Sequence, residues 1–129
     1  MITGMNHFTI VAEDPKATTN YYIGLLGLQE GYRPDLGFPG AWLYAQGVAV
    51  LHIIYGRPMP EPRTGVIDHM AFSASGMQAV KARFDASGVS YSLRQQTGSG
   101  IWQLFSFDPN GARVELDFDP SETLACLMG

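Results

Sequence analysis

Hydrophobic and polar positions alternate along short stretches of this chain, and turn residues punctuate them. Asn6–Ala12 is β-branched and aromatic and stops at Glu13-Asp14-Pro15, which predicts a strand. Asp14 followed by Pro15 is a helix-start signal, and Gly27 stands where a helix stop belongs, so a helix is expected over Pro15–Leu26. Ala41–Ala45 and Val48–Tyr55 read as strands joined by a turn at Gln46-Gly47. A polar segment with three prolines, Gly56–Gly65, follows. Beyond it the pattern predicts a strand over Ile67–Ala74 and a helix over about Met77–Ala86, closed by Gly88. Strands are then expected near Ser90–Arg94, Ile101–Phe107 and Arg113–Phe118, with Asp108-Pro109-Asn110-Gly111 turning between the last two.

The two halves repeat each other. Met5-Asn6-His7-Phe8-Thr9 returns as Ile67-Asp68-His69-Met70-Ala71, 62 residues on. Gly27 answers to Gly88 and His52 to Glu115, at offsets of 61 and 63. Each half is therefore expected to be one βαβββ unit. At about 55–60 residues, neither buries enough surface to be expected to fold alone. The expected organisation is one domain over 1–129: repeat 1 at about 4–56, a linker at 57–65, repeat 2 at about 66–119 and a loosely attached tail at 120–129.

Composition narrows the class. The chain has 129 residues, 46% of them hydrophobic and 16% charged, as in a globular domain. A net charge of −4 lacks the basic footprint of a nucleic-acid binder. One cysteine, Cys126, excludes an internal disulfide and zinc sites of the CxxC type, and suits a reducing compartment. The longest apolar stretch, Val48–Tyr55, is too short to span a bilayer, and Met1–Met5 has no leader pattern. The expected location is cytoplasmic.

All three histidines of the chain, His7, His52 and His69, fall on the repeat-related first and last strands, and the fourth equivalent position is Glu115. Three imidazoles and a carboxylate converging on a pseudo-twofold axis would suit Zn, Ni, Co, Mn or Fe as a divalent ion. A carboxylate inside the apolar run Val114-Glu115-Leu116 is costly to bury without a partner. Alternation places His7, Thr9 and Val11 on one face of the first strand, and Glu115 and Asp117 on one face of the last. Asp117 is read there as a solvated strand end.

Four segments carry a family resemblance: Asn6–Ile10, Tyr21–Leu28, Asp68–Phe72 and Phe107–Leu116. Over about residues 4–118 the chain resembles the vicinal oxygen chelate superfamily. That group includes glyoxalase I, bleomycin-resistance proteins, extradiol dioxygenases, methylmalonyl-CoA epimerases and fosfomycin-resistance thiol transferases. The resemblance implies that His7, His69 and Glu115 ligate a metal, with open positions for two neighbouring substrate oxygens. In a glyoxalase I-like reading, Glu115 is the base and His52 a fourth ligand or a supporting group, and these two are the expected catalytic residues. Val11 and Gly56 stand where glutathione-holding arginine and asparagine side chains are expected. Extradiol dioxygenases share the two-histidine, one-carboxylate set but carry a tyrosine where this chain has Phe105. Fosfomycin-resistance transferases share His7, Thr9, His69 and Glu115, but Leu124 lies near the place of their arginine. Bleomycin-binding relatives usually lack the ligands.

The same resemblance puts Gln103 and Phe105 on a cavity face. Trp42 and Tyr44 share a face of their strand, and with Thr9 they complete the expected substrate-binding set. Gly37–Gly40 is read as a loop over the cavity. The expected fold is α+β, two tandem βαβββ repeats forming half-barrel sheets around a metal site, closed within one chain or swapped between two. The expected function is a divalent-metal-dependent lyase or isomerase of glyoxalase I-like type. It would be a homodimer acting on a small aromatic or α-oxo molecule, with one metal ion per site. An Fe(II) dioxygenase, a fosfomycin-resistance-like transferase and a metal-free binding protein are the alternatives.

Overall fold

A computed structural model describes residues 1–123; Leu124 and Cys126 lie outside the described residues. The chain divides into two compact units, with the boundary between Arg63 and Thr64, inside the Pro-rich segment.

The first unit begins with β1 (Phe8–Ala12) and α1 (Pro15–Thr19), which runs on as a π-helical stretch, Asn20–Leu25. β2 (Gln29–Gly31), β3 (Gly40–Ala45) and β4 (Val48–Tyr55) follow. The Asp14 carboxylate accepts from the Lys16 and Ala17 N–H groups, and Pro15 opens the helix as its sequence requires. The expected single α-helix over Pro15–Leu26 changes pitch midway. The Thr19 hydroxyl donates to the Pro15 and Lys16 carbonyls at 3.0 and 3.2 Å. Such back-bonding competes with the regular helix ladder just where the π stretch takes over. Gln46 and Gly47 both have positive φ, 49° and 81°, the conformation a two-residue hairpin needs between β3 and β4.

The sheet order is β1-β4-β3-β2, with β1 and β4 parallel and the other pairs antiparallel. One face is core. Ala41, Leu43, Leu51 and Ile53 are buried there, and Leu43 is the register partner of Leu51. The other face carries Trp42 opposite His52, with Thr9 opposite His52 on the far side.

The second unit repeats this plan with β5 (Met70–Ser73), α2 (Met77–Ser87), β6 (Tyr91–Gln95), β7 (Trp102–Phe107) and β8 (Arg113–Phe118). Its order, β5-β8-β7-β6, again pairs first and last strands in parallel. α2 buries Met77, Val80 and Phe84 at 3–4-residue spacing and stops at Gly88, whose φ is +76°. The Asp108 carboxylate accepts from the Asn110 and Ala112 N–H groups, each at 2.8 Å, and so fixes the turn into β8. No helix among the described residues is long and apolar enough to cross a membrane.

The α+β class and the tandem βαβββ arrangement are therefore observed, and Thr9↔His52 and Ala71↔Glu115 are equivalent register pairs in the two sheets. β2 had no sequence signal of its own: Gln29, Glu30 and Gly31 are all exposed and carry no apolar alternation.

Candidate metal ligands in each unit

Each unit presents one pair of the expected ligand residues. In the second unit, β5 and β8 lie side by side, which brings His69, just before β5, to Glu115 on β8. His69 Nε2 is 3.0 Å from Glu115 Oε1. The other ring nitrogen, Nδ1, is 2.7 Å from Asp68 Oδ2. Glu115 is only 6% exposed, and Gln103 Nε2 donates to its second oxygen at 3.1 Å. A neutral imidazole carries one N–H, so it cannot donate to carboxylates at both nitrogens. With Nδ1–H given to Asp68, the Nε2 lone pair faces the Glu115 oxygen. That arrangement calls for a cation between them, a proton or a metal ion.

The donor set fits a metal. Two ligand atoms at right angles and about 2.0–2.2 Å from one ion stand about 3 Å apart, the observed spacing of His69 Nε2 and Glu115 Oε1. A carboxylate on the remote nitrogen is the usual means of orienting a ligating imidazole. The first unit repeats the device, for His7 Nδ1 is 2.7 Å from Asn6 Oδ1. This positions Asn6 and Asp68 as orienting residues. Their signal lay in the repeat, where an amide or carboxylate precedes each histidine at the same offset. Arg113 Nη1 donates to Asp68 Oδ2 at 3.0 Å and its guanidinium lies 4.5 Å from the Phe105 ring centroid. Asp68→Ala is expected to weaken metal binding by about 10–100-fold while leaving the fold intact, read by competition with a metallochromic chelator.

Asp117 corrects its reading as a solvated strand end. It is half-buried on β8, its Oδ1 is buried without a hydrogen-bond partner, and its carboxyl meets that of Glu115. Burial, with the Glu115 carboxylate added, pushes Asp117 up to about 6. The hydrogen bond from Asp117 holds Glu115 below the usual carboxylate range despite its burial. Of the two adjoining carboxyls, Asp117 is therefore the one that takes up a proton first as pH falls through about 6. A carboxylate two residues from Glu115 shares its strand face, and that alternation was the available signal.

In the first unit, His52 is sandwiched between two rings. The His7 ring stacks on it at 3.6 Å and 12°, and the Trp42 ring at 4.0 Å and 11°. Burial, then the neighbouring His7, lower the His52 pKa and favour its neutral form. Imidazole lone pairs lie in the ring plane. Parallel planes about 3.6 Å apart cannot both contain one ion, so this stack favours His52 as a wall of the site beside His7 over a co-ligand with it.

Of the remaining expected residues, Thr9 and Trp42 line a cavity with His52. Tyr44 donates its hydroxyl to the Tyr32 carbonyl at 2.6 Å. Gln103 and Phe105 share the β7 face opposite Asp117 and Glu115, as their register pairs show. The Phe105 ring stands edge-on to His69 at 6.0 Å. Among the described residues, no three His, Cys, Asp or Glu side chains group to hold a metal; the ligand residues occur as one pair within each unit.

Comparison with known proteins agrees with this plan. Residues 4–116 match the model of the Glyoxalase/Bleomycin resistance protein/Dioxygenase superfamily. The chain is 28% identical over 122 residues to a protein named Glyoxylase I 4 from Arabidopsis thaliana, covering 89% of this chain and 70% of that protein. A putative glyoxalase family protein from Bacillus anthracis has the same fold at a TM-score of 0.74 and 18% identity, covering 92% of this chain and 97% of that one. The fosfomycin resistance protein FosX from Listeria monocytogenes matches at a TM-score of 0.72 and 21% identity, covering 92% of this chain and 94% of that one.

Proposed function

Because the chain belongs to the Glyoxalase/Bleomycin resistance protein/Dioxygenase superfamily, we propose that it is a divalent-metal-dependent enzyme carrying out lyase or isomerase proton transfer on a small molecule with two neighbouring oxygens. The observation that carries this reading is His69, held by carboxylates at both ring nitrogens, 2.7 Å from Asp68 and 3.0 Å from Glu115. The proposed ligands are His69 and Glu115 from the second unit and His7 from the first, and the proposed assembly is a homodimer. A divalent ion bound there supplies Lewis acidity toward the substrate oxygens.

The chain's own groups do the rest. Asp68 and Asn6 orient the two imidazoles. Gln103 fixes Glu115 Oε2, which leaves Glu115 as the proposed base, with the raised Asp117 carboxyl beside it. Thr9, Trp42, His52, Tyr44 and Phe105 are the proposed substrate contacts and walls. The similarity to a protein named as a glyoxalase I supports this type of chemistry. Phe105 favours it over ring-cleaving dioxygenation, since the residue facing His69 brings a ring and no hydroxyl to exchange a proton.

Elemental analysis by mass spectrometry, on protein purified without a tag or chelator, tests the proposal. About one equivalent of Ni, Co, Mn or Zn per chain is the expected result. Iron at that stoichiometry would replace the proton-transfer reading with the dioxygenase one. No metal, with none taken up on soaking, would overturn both.

A further inference from the structure

The first unit contains a ring-walled cavity that shares Thr9, Trp42 and His52 with the proposed substrate contacts and adds a charged residue, Arg33, that has no part in the proposed metal chemistry. It has a volume of about 150 Å³ and is lined by Arg33, Phe38, Trp42, His52, Thr9 and apolar side chains, with no acidic residue among them. Arg33 is its one permanent charge. The Arg33 Nε is buried and lacks a hydrogen-bond partner, and Arg33 forms no ion pair among the described residues. The Nε is closed to solvent, but the side chain as a whole is only half-buried, so the terminal nitrogens of the guanidinium are the groups left to meet a ligand.

The surroundings hold the group in place. The Arg33 guanidinium carbon lies 5.0 Å from the Phe38 ring centroid, and that of Arg57 lies 5.2 Å from the same centroid. Gly40 makes the room. A Cβ there would come within 2.8 Å of Arg33 Nη2 and 2.3 Å of the Ile53 carbonyl oxygen. The absence of a side chain at this position lets the guanidinium lie against β3. The stacked Trp42 and His52 rings line the same cavity.

From this we infer that the cavity is a binding site for a planar organic carboxylate of about one aromatic ring, with Arg33 as its counter-charge. The guanidinium fork matches a carboxylate in two parallel hydrogen bonds, and the exposed Thr9 hydroxyl adds a donor. A cavity of about 150 Å³ is the size that accepts benzene. The inference deepens the proposed function, and it rests on that function only for the statement that the ligand bound here is the substrate.

The test compares benzoate with benzamide, which has the same shape and no charge. Binding is followed by the indole N–H resonance of Trp42, assigned with Trp42→Phe, both in protein as purified and after chelator treatment. Benzoate is expected to shift this resonance with a Kd at least about tenfold below that of benzamide. Arg33→Met is expected to erase the difference, and Arg33→Lys, which keeps the charge and loses the fork, to retain part of it. Equal Kd values for the two probes in the unmodified protein would overturn the inference without reference to any variant. So would undiminished benzoate binding in Arg33→Met, or a shift confined to Trp102. Benzoate binding that survives metal removal separates this site from the metal proposal, whose failure would leave the result standing.

Discussion

Replacing Glu115 or His69 by alanine is expected to lower metal affinity by more than about a hundredfold, which corresponds to about 2.8 kcal/mol of binding free energy. Losing an orienting partner such as Asp68 costs about 10–100-fold, and losing a donor atom costs more, because the ion must take water in its place. His69→Ala does further harm, since it leaves the Glu115 carboxylate, 6% exposed, with no cation opposite its Oε1. His7→Ala is expected to behave like His69→Ala, and His52→Ala to retain metal, because its ring is committed to the stack between His7 and Trp42. Asp117→Asn is the matched control. Asparagine has the same shape and keeps an N–H to donate toward Glu115, so metal content should stay within tenfold of the unmodified protein. The measurement is metal content after dialysis against a graded chelator. Equal retention in Glu115→Ala, His69→Ala and Asp117→Asn would remove the assignment of the site.

The pattern that made this site visible in the sequence is the repeat, and its success and failure have physical causes. β4 and β8 match their expected bounds, Val48–Tyr55 and Arg113–Phe118, and each is an inner strand paired on both sides. β1 and β5 begin later than expected, at Phe8 and Met70. Asn6-His7 and Asp68-His69 are given to the site and stand outside the ladder, although their β-like neighbours suggested continuity. The repeat also related His52 to Glu115, and the two sheets place them at equivalent register positions. What alternation could not show is which face-sharing residues touch. Asp117 was legible as a neighbour of Glu115 on the strand face, but its burial depends on the neighbours the fold supplies, among them its register partner Gln103. Arg33 was invisible for a similar reason. It lies in a connection between strands, and only the fold brings it across Gly40 to Trp42 and His52.

Leu43→Ala is expected to destabilise the protein by about 2–5 kcal/mol, a large share of the roughly 5–15 kcal/mol that holds a domain folded. Leu43 is wholly buried, as is its cross-strand partner Leu51, so truncation leaves a cavity that the two flanking strands cannot collapse into without disturbing their ladder. The same substitution should leave the site face alone. Successive residues of a strand point to opposite faces, and the residues before Leu43 and after Leu51, Trp42 and His52, form the stack on the other side of the sheet. Denaturant unfolding should therefore shift to lower midpoint, while metal content per folded chain and the Trp42 response to benzoate stay unchanged. The double variant Leu43→Ala/Leu51→Ala should lose less than the two single losses added together, because each single change already removes the contact the two leucines share. A Leu43→Ala protein of normal stability would mean that this face of the sheet is not the core of the first unit. A normal midpoint shift accompanied by loss of metal would mean that the two faces are not separable, and that the ligand face depends on the packing beneath it.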